Sequence, residues 1–389
     1  MQVSRLLLDC YKCIVIKMSA KAEILKLLKS ADIEVGGDRL HDIQIHDDEI
    51  YKDVFKGGTL ALGDGYMDKK WDAENLDAFV YQSIQSDLRG RFFNVGILWH
   101  VIISKFFNLQ SVKRAFQVAE HHYDDPDGVY PEMLDETMTY TCGYYGNGAT
   151  TLNEAQDHKH DLVCRKLGLK EGDRVLDIGC GFGSFAKYAA ENYGVHVTGV
   201  TISKGQLEVA RERTKGLSVD YLFMDYREVE EEPFDHIVSI GMFEAVGGKN
   251  FRKFMEVANR LLKPNGLFLL HTIGARTTKK HGEPWYHKRI FKNGKLPSLA
   301  ELSKSHEGLF LMEDLHNFGA DYDKTLMEWF IRFDDAWKSG RLSKYNERFY
   351  RMWKYYLLSC AGLFRARYVQ LWQVVLSPNG VPGGYKSVR

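Results

Sequence analysis

Between Val175 and Ser184 the chain reads VLDIGCGFGS, an apolar strand running directly into three alternate glycines, Gly179, Gly181 and Gly183. Such a turn needs positive φ and lets the backbone come within contact distance of a ligand, which a Cβ would block. The residues from about Ser184 to Asn192 read as a helix whose first amides point into the turn. Strand, glycine turn and helix in this order predict an α/β domain that wraps a nucleotide. The spacing is GxGxG after Asp177, not the GxGxxG of dinucleotide-binding folds.

From Gly172 onward the pattern alternates strand and helix. Strands are expected at RVLDIGC, HVTGVTI from His196, VDYLFMDY from Val219, FDHIVSIG from Phe234 and GLFLLHTIG from Gly266. Two more follow, LFLMEDLHNFG from Leu309 and YVQLWQVVLS from Tyr368, separated by long helices rich in aromatic residues. Helices are expected near Gln206 to Thr214 and Asn250 to Leu262. Five parallel strands with a late hairpin-like pair describe a seven-stranded, Rossmann-like sheet, whose ligands bind outside the carboxyl ends of the strands. Gly179, Thr201, Asp225, Glu244 and His271 each fall near the end of a different strand and should meet at one rim.

The first part of the chain is different. From Ala20 to about Gly90 it reads as short mixed elements: a helix near Lys21 to Lys29, a strand at Asp42 to His46, a helix from about Asp47, and a compact turn over Gly57 to Trp71. The run from Phe92 to Ser104 is apolar around most of a helix. It fits a buried helix or an interfacial membrane contact, with Lys105, Lys113 and Arg114 nearby for lipid phosphates. No stretch approaches the roughly 20 apolar residues of a spanning helix, so a soluble protein is expected. Residues 1–18 read as an extension, with Met18 an alternative start. A smaller, mainly helical domain over 19–115 and a second domain over 116–389 complete the expected layout.

A chain of 389 residues with 44% hydrophobic content can bury two cores. Its 52 basic and 52 acidic residues balance, which argues against nucleic acid as partner. Six scattered cysteines, of which only Cys10 and Cys13 are close, fit a reduced cytosolic protein. His121, His122, His158 and His160 have no further ligand spacing, so no metal is expected.

The glycine turn resembles the first motif of S-adenosylmethionine-dependent methyltransferases. Further motifs sharpen the likeness: GYMDKKW from Gly65, FNLQSVKRA from Phe107, YTCGYY from Tyr140, GVTISKGQ from Gly199, MDYRE from Met224, GMFEAVG from Gly241, LLHTIG from Leu269, HNFGADYDKTL from His316 and FRARYVQLWQVV from Phe364. Over nearly its whole length the chain resembles the cyclopropane-fatty-acyl-phospholipid synthases, relatives of the mycolic acid methyltransferases. The resemblance implies that Gly179 and Gly181 wrap S-adenosylmethionine, that Thr201 and Gln206 hold its ribose in place of the usual acid, that Asp225 lies by the adenine, and that Tyr140 and Thr141 reach the methionine end. It also implies the inner face of the membrane as the place of work, unsaturated acyl chains of phospholipids as substrate, and a homodimer. Three positions depart from the family pattern: HYDDPDG from His122, Phe182 and Ala245.

Cyclopropane formation requires the chemistry of two steps. Attack of a weakly nucleophilic double bond on a sulfonium methyl needs alignment and exclusion of water. The cation that follows can be stabilised by aromatic faces, for which Tyr144, Phe243, Trp329, Phe333 and Trp337 are candidates, although aromatic residues at helical spacing read first as core and none is assigned a catalytic role. Ring closure then needs a base within reach of the transferred methyl. By resemblance that base is a bound bicarbonate, cradled by the side chains of Glu244, His271 and Tyr322 and by backbone groups of Cys142 and Ile273. Tyr322 and His271 can donate to such an anion and Glu244 can accept from it. The Cys142 thiol has no covalent step to perform. A methyltransferase giving a methyl-branched product, a small-molecule amine methyltransferase and a lipid-binding protein without activity are the rival readings.

Overall fold

The computed structural model describes residues 20–88, 128–279, 282–292 and 294–389. The run Phe92 to Ser104, the FNLQSVKRA motif, His121, His122 and the expected boundary near residue 116 lie outside the described residues.

The chain forms two compact units. The first unites an N-terminal stretch with Glu283–Ile290 and Ser343–Tyr368, two pieces from far along the chain. It holds a helix over residues 20–30, a small antiparallel pair of β1 (Ile43–Ile45) and β2 (Trp71–Ala73), and helices Glu49–Met67, Leu76–Gln85, Pro284–Arg289 and Glu347–Arg365. The glycine-rich stretch expected to be a compact turn is helical as far as Met67, bent at Gly58 with φ 56° and ψ −138°. Burial accounts for the difference: Tyr66, Met67 and Trp71 are all sealed in this unit's core, and tertiary packing outweighs the low helix propensity of glycine. Charged clasps tie the distant pieces together. Arg351 donates to the Tyr66 carbonyl at 2.6 Å and to Asp72 at 2.7 Å, and Arg289 grips both oxygens of Asp64.

The second unit is built on the seven-stranded sheet foreseen from the sequence. Its strands are β3 (Arg174–Ile178), β4 (His196–Thr201), β5 (Val219–Phe223), β6 (Phe234–Ile240), β7 (Leu262–Ala275), β8 (Leu311–Asn317) and β9 (Val369–Ser377), in the spatial order β5-β4-β3-β6-β7-β9-β8. The first five are parallel, and β9 runs antiparallel between β7 and β8. Helices cover both faces, so the strands read as continuous apolar runs, with successive side chains alternating between two cores. Leu176, Ile237 and Leu270 enter one core, while Val175, Val238 and Leu269 enter the other. Strand order reverses between β3 and β6, and the crevice at such a reversal is where this architecture binds ligands. Among the described residues no helix is long and apolar enough to cross a membrane.

Candidate active site

Where β3 ends, Gly179, Gly181 and Gly183 adopt φ of 85°, 55° and 75°, the left-handed backbone that the sequence called for. A Cβ on Gly179 would lie 2.6 Å from Met242 Cγ. The turn is pinned to β4, since the Gly179 amide donates to the Val200 carbonyl at 2.9 Å, and it feeds directly into helix Ser184–Tyr193. Above it opens a cavity of about 220 Å³. All seven residues expected to hold the cofactor line this one space: Tyr140, Thr141, Gly179, Gly181, Thr201, Gln206 and Asp225.

Several polar groups at the rim are held by protein neighbours. Thr201 ends β4, and its hydroxyl oxygen accepts from the Ser203 amide at 3.1 Å, which leaves its proton to donate elsewhere. Gln206 lies in the first turn of helix Lys204–Arg213, capped by Ser203. Asp225 is 2% exposed and receives Arg227 on both oxygens, each at 2.7 Å. Phe182 and Ala245, two of the departures from the family pattern, also line the cavity.

The opposite wall is the segment Thr139 to Thr141, clamped by one face of helix Leu152–Leu167. Gln156 Nε2 donates to the Thr141 carbonyl at 2.8 Å, Lys159 Nζ donates to Thr141 Oγ1 at 3.0 Å, and His160 Nε2 lies 3.1 Å from Thr139 Oγ1. These three residues are spaced i, i+3, i+4, so they share a face, and all are fully buried. Burial pushes the Lys159 ammonium down to about 7, opposed chiefly by Asp135. Burial likewise lifts the Asp177 carboxyl up to about 7, against the pull of Lys159. The sequence reading missed this clamp. Its signal was present: three polar residues stand in the stripe otherwise filled by Leu152, Ala155 and Val163, where a solvent-facing helix would carry apolar ones.

Of the residues expected to cradle an anion, none lines this cavity; Glu244 follows β6, and His271 and Ile273 lie on β7. Glu244 Oε1 accepts from the Ile273 amide at 2.5 Å, so this backbone donor is already engaged by the carboxylate. Glu244 Oε2 is sealed from solvent and has no hydrogen-bond partner among the described residues. Burial raises its carboxyl to about 7, with the Ile273 amide pulling the other way. His271 is 1% exposed, and burial, then repulsion from Lys159 and Lys166, hold it well below the usual histidine range. The Gln373 side-chain nitrogen lies 3.3 Å from His271 Nδ1. With the Gln373 amide in this orientation, Nδ1 accepts and the proton is carried on Nε2. That Nε2 is the second buried polar atom here without a partner among the described residues.

The Cys142 segment is fastened to helix Asp321–Lys338, which also carries Tyr322. Gly143 donates its amide to Thr325 Oγ1 at 3.1 Å, the Tyr145 amide donates to Asp321 at 2.8 Å, and Cys142 Sγ lies 3.8 Å from Thr325 Oγ1. Tyr322 is one turn before Thr325 on this helix and is buried. Burial raises the Cys142 thiol well above its ordinary range, which disfavours the thiolate. Among the aromatic candidates, Trp329 packs on the pocket residue Tyr140 at 5.1 Å between ring centres and on Tyr322 at 6.1 Å. Phe243 instead stacks on Phe251 at 4.4 Å inside the core, and Phe333 is fully buried.

The family model for mycolic acid cyclopropane synthetase matches residues 110–374. The chain belongs to this family. It is 46% identical over 365 residues to the cyclopropane-fatty-acyl-phospholipid synthase of Escherichia coli strain K12, covering 94% of either chain. It is 34% identical over 271 residues to a probable fatty acid methyltransferase of Pseudomonas putida, covering 67% of this chain and 68% of the relative. Among solved structures, mycolic acid cyclopropane synthase CmaA1 complexed with SAH and CTAB superposes with a TM-score of 0.62 at 33% identity, over 67% of this chain and 97% of that one. The seven-stranded unit is thus the S-adenosylmethionine-dependent methyltransferase fold that the glycine turn resembled, and the chain is an enzyme of the cyclopropane synthase class. Of its remaining histidines near the pocket, His158 is engaged with the Gly146 carbonyl at 3.0 Å.

Proposed function

We propose that the enzyme converts cis double bonds of membrane phospholipid acyl chains to cyclopropanes, with S-adenosylmethionine as donor and bicarbonate as the ring-closing base. When bound, the two small molecules supply the methyl group and the acceptor for its proton. The observation that carries this reading is the pair of sealed, unpartnered atoms, Glu244 Oε2 and His271 Nε2. One is an acceptor and the other a donor, and leaving both unsatisfied in the interior is costly. Bicarbonate offers a negative oxygen to the histidine N–H and a hydroxyl to the carboxylate, so it fits both.

In this reading the protein's own residues divide the work. The glycine turn, Thr201, Gln206 and Asp225 bind the nucleoside portion, while Tyr140 and Thr141 hold the methionine end. His271, kept neutral by burial, donates to the anion without adding a second charge. Glu244 orients the anion's hydroxyl, and Tyr322 with the Cys142 backbone closes the cradle. Trp329, Tyr140 and Tyr322 present aromatic surface that favours positive charge on the alkene-derived cation without attacking it. The reading extends to peripheral association with the inner membrane surface and to a homodimer.

Incubation of the purified enzyme with S-adenosylmethionine and vesicles of cis-unsaturated phospholipid, with and without bicarbonate, tests the proposal. Cyclopropane acyl chains identified by mass spectrometry and NMR, formed faster with bicarbonate, are the expected result. A methyl-branched product is the second reading, favoured by the likeness to the Pseudomonas putida relative; it would overturn the ring-closing assignment. Flotation with the vesicles checks membrane association, and sedimentation checks the dimer.

A further inference from the structure

Lys159 is the least expected group at the pocket. It lines the cavity, is 0% exposed, and sits between Thr141 and the carboxyl-bearing strand β3. None of the roles above uses it. A buried ammonium is costly unless it is paired and hydrogen-bonded, so its retention inside a ligand pocket needs a reason.

The bond to Thr141 supplies one. An ammonium has three donors and no acceptor. Because Lys159 Nζ donates to Thr141 Oγ1 at 3.0 Å, that oxygen accepts, and the hydroxyl proton of Thr141 is left to donate in another direction. The rotamer is fixed from the other side as well: a Cβ built on Gly241 would meet Thr141 Cγ2 at 2.7 Å, so the methyl group fills the space over that glycine. The backbone cannot swing away, since Gln156 holds the Thr141 carbonyl at 2.8 Å. Thr141 therefore presents a single oriented donor to the cavity it lines, backed by a positive charge.

Resting on the S-adenosylmethionine reading above, we infer that Lys159 is a positioning residue that acts through Thr141 to recognise the carboxylate of the cofactor's methionine end. The surroundings suit that task. Burial opposes the charged form of Lys159, Asp135, Asp177 and Asp157 favour it, and the neighbouring His160 and His271 are kept neutral. An arriving carboxylate adds one more anion and draws the lysine fully to the ammonium.

The test is isothermal calorimetry of the full chain with S-adenosylmethionine and with its decarboxylated analogue, in wild type, Lys159→Met, Thr141→Val and the double variant. Wild type is expected to prefer the carboxylate-bearing ligand by about tenfold or more, the range of a charge-assisted hydrogen bond. Lys159→Met and Thr141→Val should each erase most of that preference while leaving affinity for the decarboxylated analogue within about threefold of wild type. The double variant should fall no further than Thr141→Val alone, because the two residues act in series. Equal weakening of both ligands in Lys159→Met would mean a structural role only and overturn the inference. Should that variant not fold, full preference retained in Thr141→Val would overturn it instead. Wild type that binds both ligands equally would refute carboxylate recognition but keep the cofactor, whereas wild type that binds neither would remove the cofactor reading and this inference with it.

Discussion

The rim of the cavity and the proposed anion cradle differ in how their polar atoms are satisfied. At the rim, Thr141, Thr201 and Asp225 are each held by a protein neighbour, Lys159, the Ser203 amide and Arg227 respectively. In the cradle, Glu244 and His271 each keep one sealed polar atom with no partner among the described residues. A preorganised rim gives affinity by sparing the cost of ordering. An unsatisfied cradle gives selectivity, because only a small group that both donates and accepts relieves it. On the proposed function, the first region binds the cofactor and the second holds the ring-closing base.

The sharpest way to break this division is Glu244→Gln. Turnover to the cyclopropane is expected to fall about a hundredfold or more, in the range of general acid–base contributions, while S-adenosylmethionine affinity by calorimetry changes by less than about twofold. A variant that keeps its turnover would place the base elsewhere. Gly179→Ala attacks the rim instead. At φ 85°, with Met242 Cγ 2.6 Å from the new methyl, strain of about 1–2 kcal/mol is expected, seen as roughly tenfold weaker cofactor binding; unchanged affinity would mean the turn does not bear on the ligand.

Proton linkage gives a smaller effect that separates the two regions again. Glu244 is lifted from 4.5 to about 7 in the folded protein. Between those values the native state holds a proton that the unfolded chain has released, so stability of the ligand-free protein falls as pH rises across that window. Asp177, lifted from 3.8 to about 7, acts with the same sign. Buried His160 and His271, held well below the usual histidine range, act with the opposite sign in the acid part of the window, so the test is the difference between variants. Urea titrations of Glu244→Gln should lose less stability between about pH 5 and 7 than wild type by the Glu244 contribution, and an identical pH dependence would mean Glu244 is ionised in the native protein. The smallest effect is expected at Phe243→Leu. This ring is stacked on Phe251 in the core, so the change should lower stability by about 1 kcal/mol with no change in product or cofactor affinity. A changed product would move Phe243 from the core into the active site.

Legibility in the sequence follows the range of the interactions. The glycine turn and the strand ends are local: alternate glycines after an apolar run can be read from ten residues, and all seven cofactor positions do line one cavity. The helical course of Gly57 to Met67 was not legible, because the residues that decide it, Tyr66, Met67 and Trp71, act by burial against helix Glu347–Arg365, whose Arg351 binds the Tyr66 carbonyl. The clamp of Gln156, Lys159 and His160 was half legible. Three polar residues interrupting an apolar stripe are plain in the sequence, but only the fold shows that they face the segment Thr139 to Thr141.

By itself, then, the sequence determined the elements and their chemistry: five parallel strands, a turn that only glycine can make, and donors and acceptors at the strand ends, all consequences of periodicity and of backbone sterics between neighbours. The tertiary structure alone decided the electrical state of those groups. Whether Glu244 carries a proton, which nitrogen of His271 bears its own, and whether Lys159 faces water or the pocket depend on solvent being excluded and on residues such as Gln373 and Ile273 arriving from other strands. Charge and hydrogen bonding respond to distance in space, and distance in space between remote residues is what folding creates.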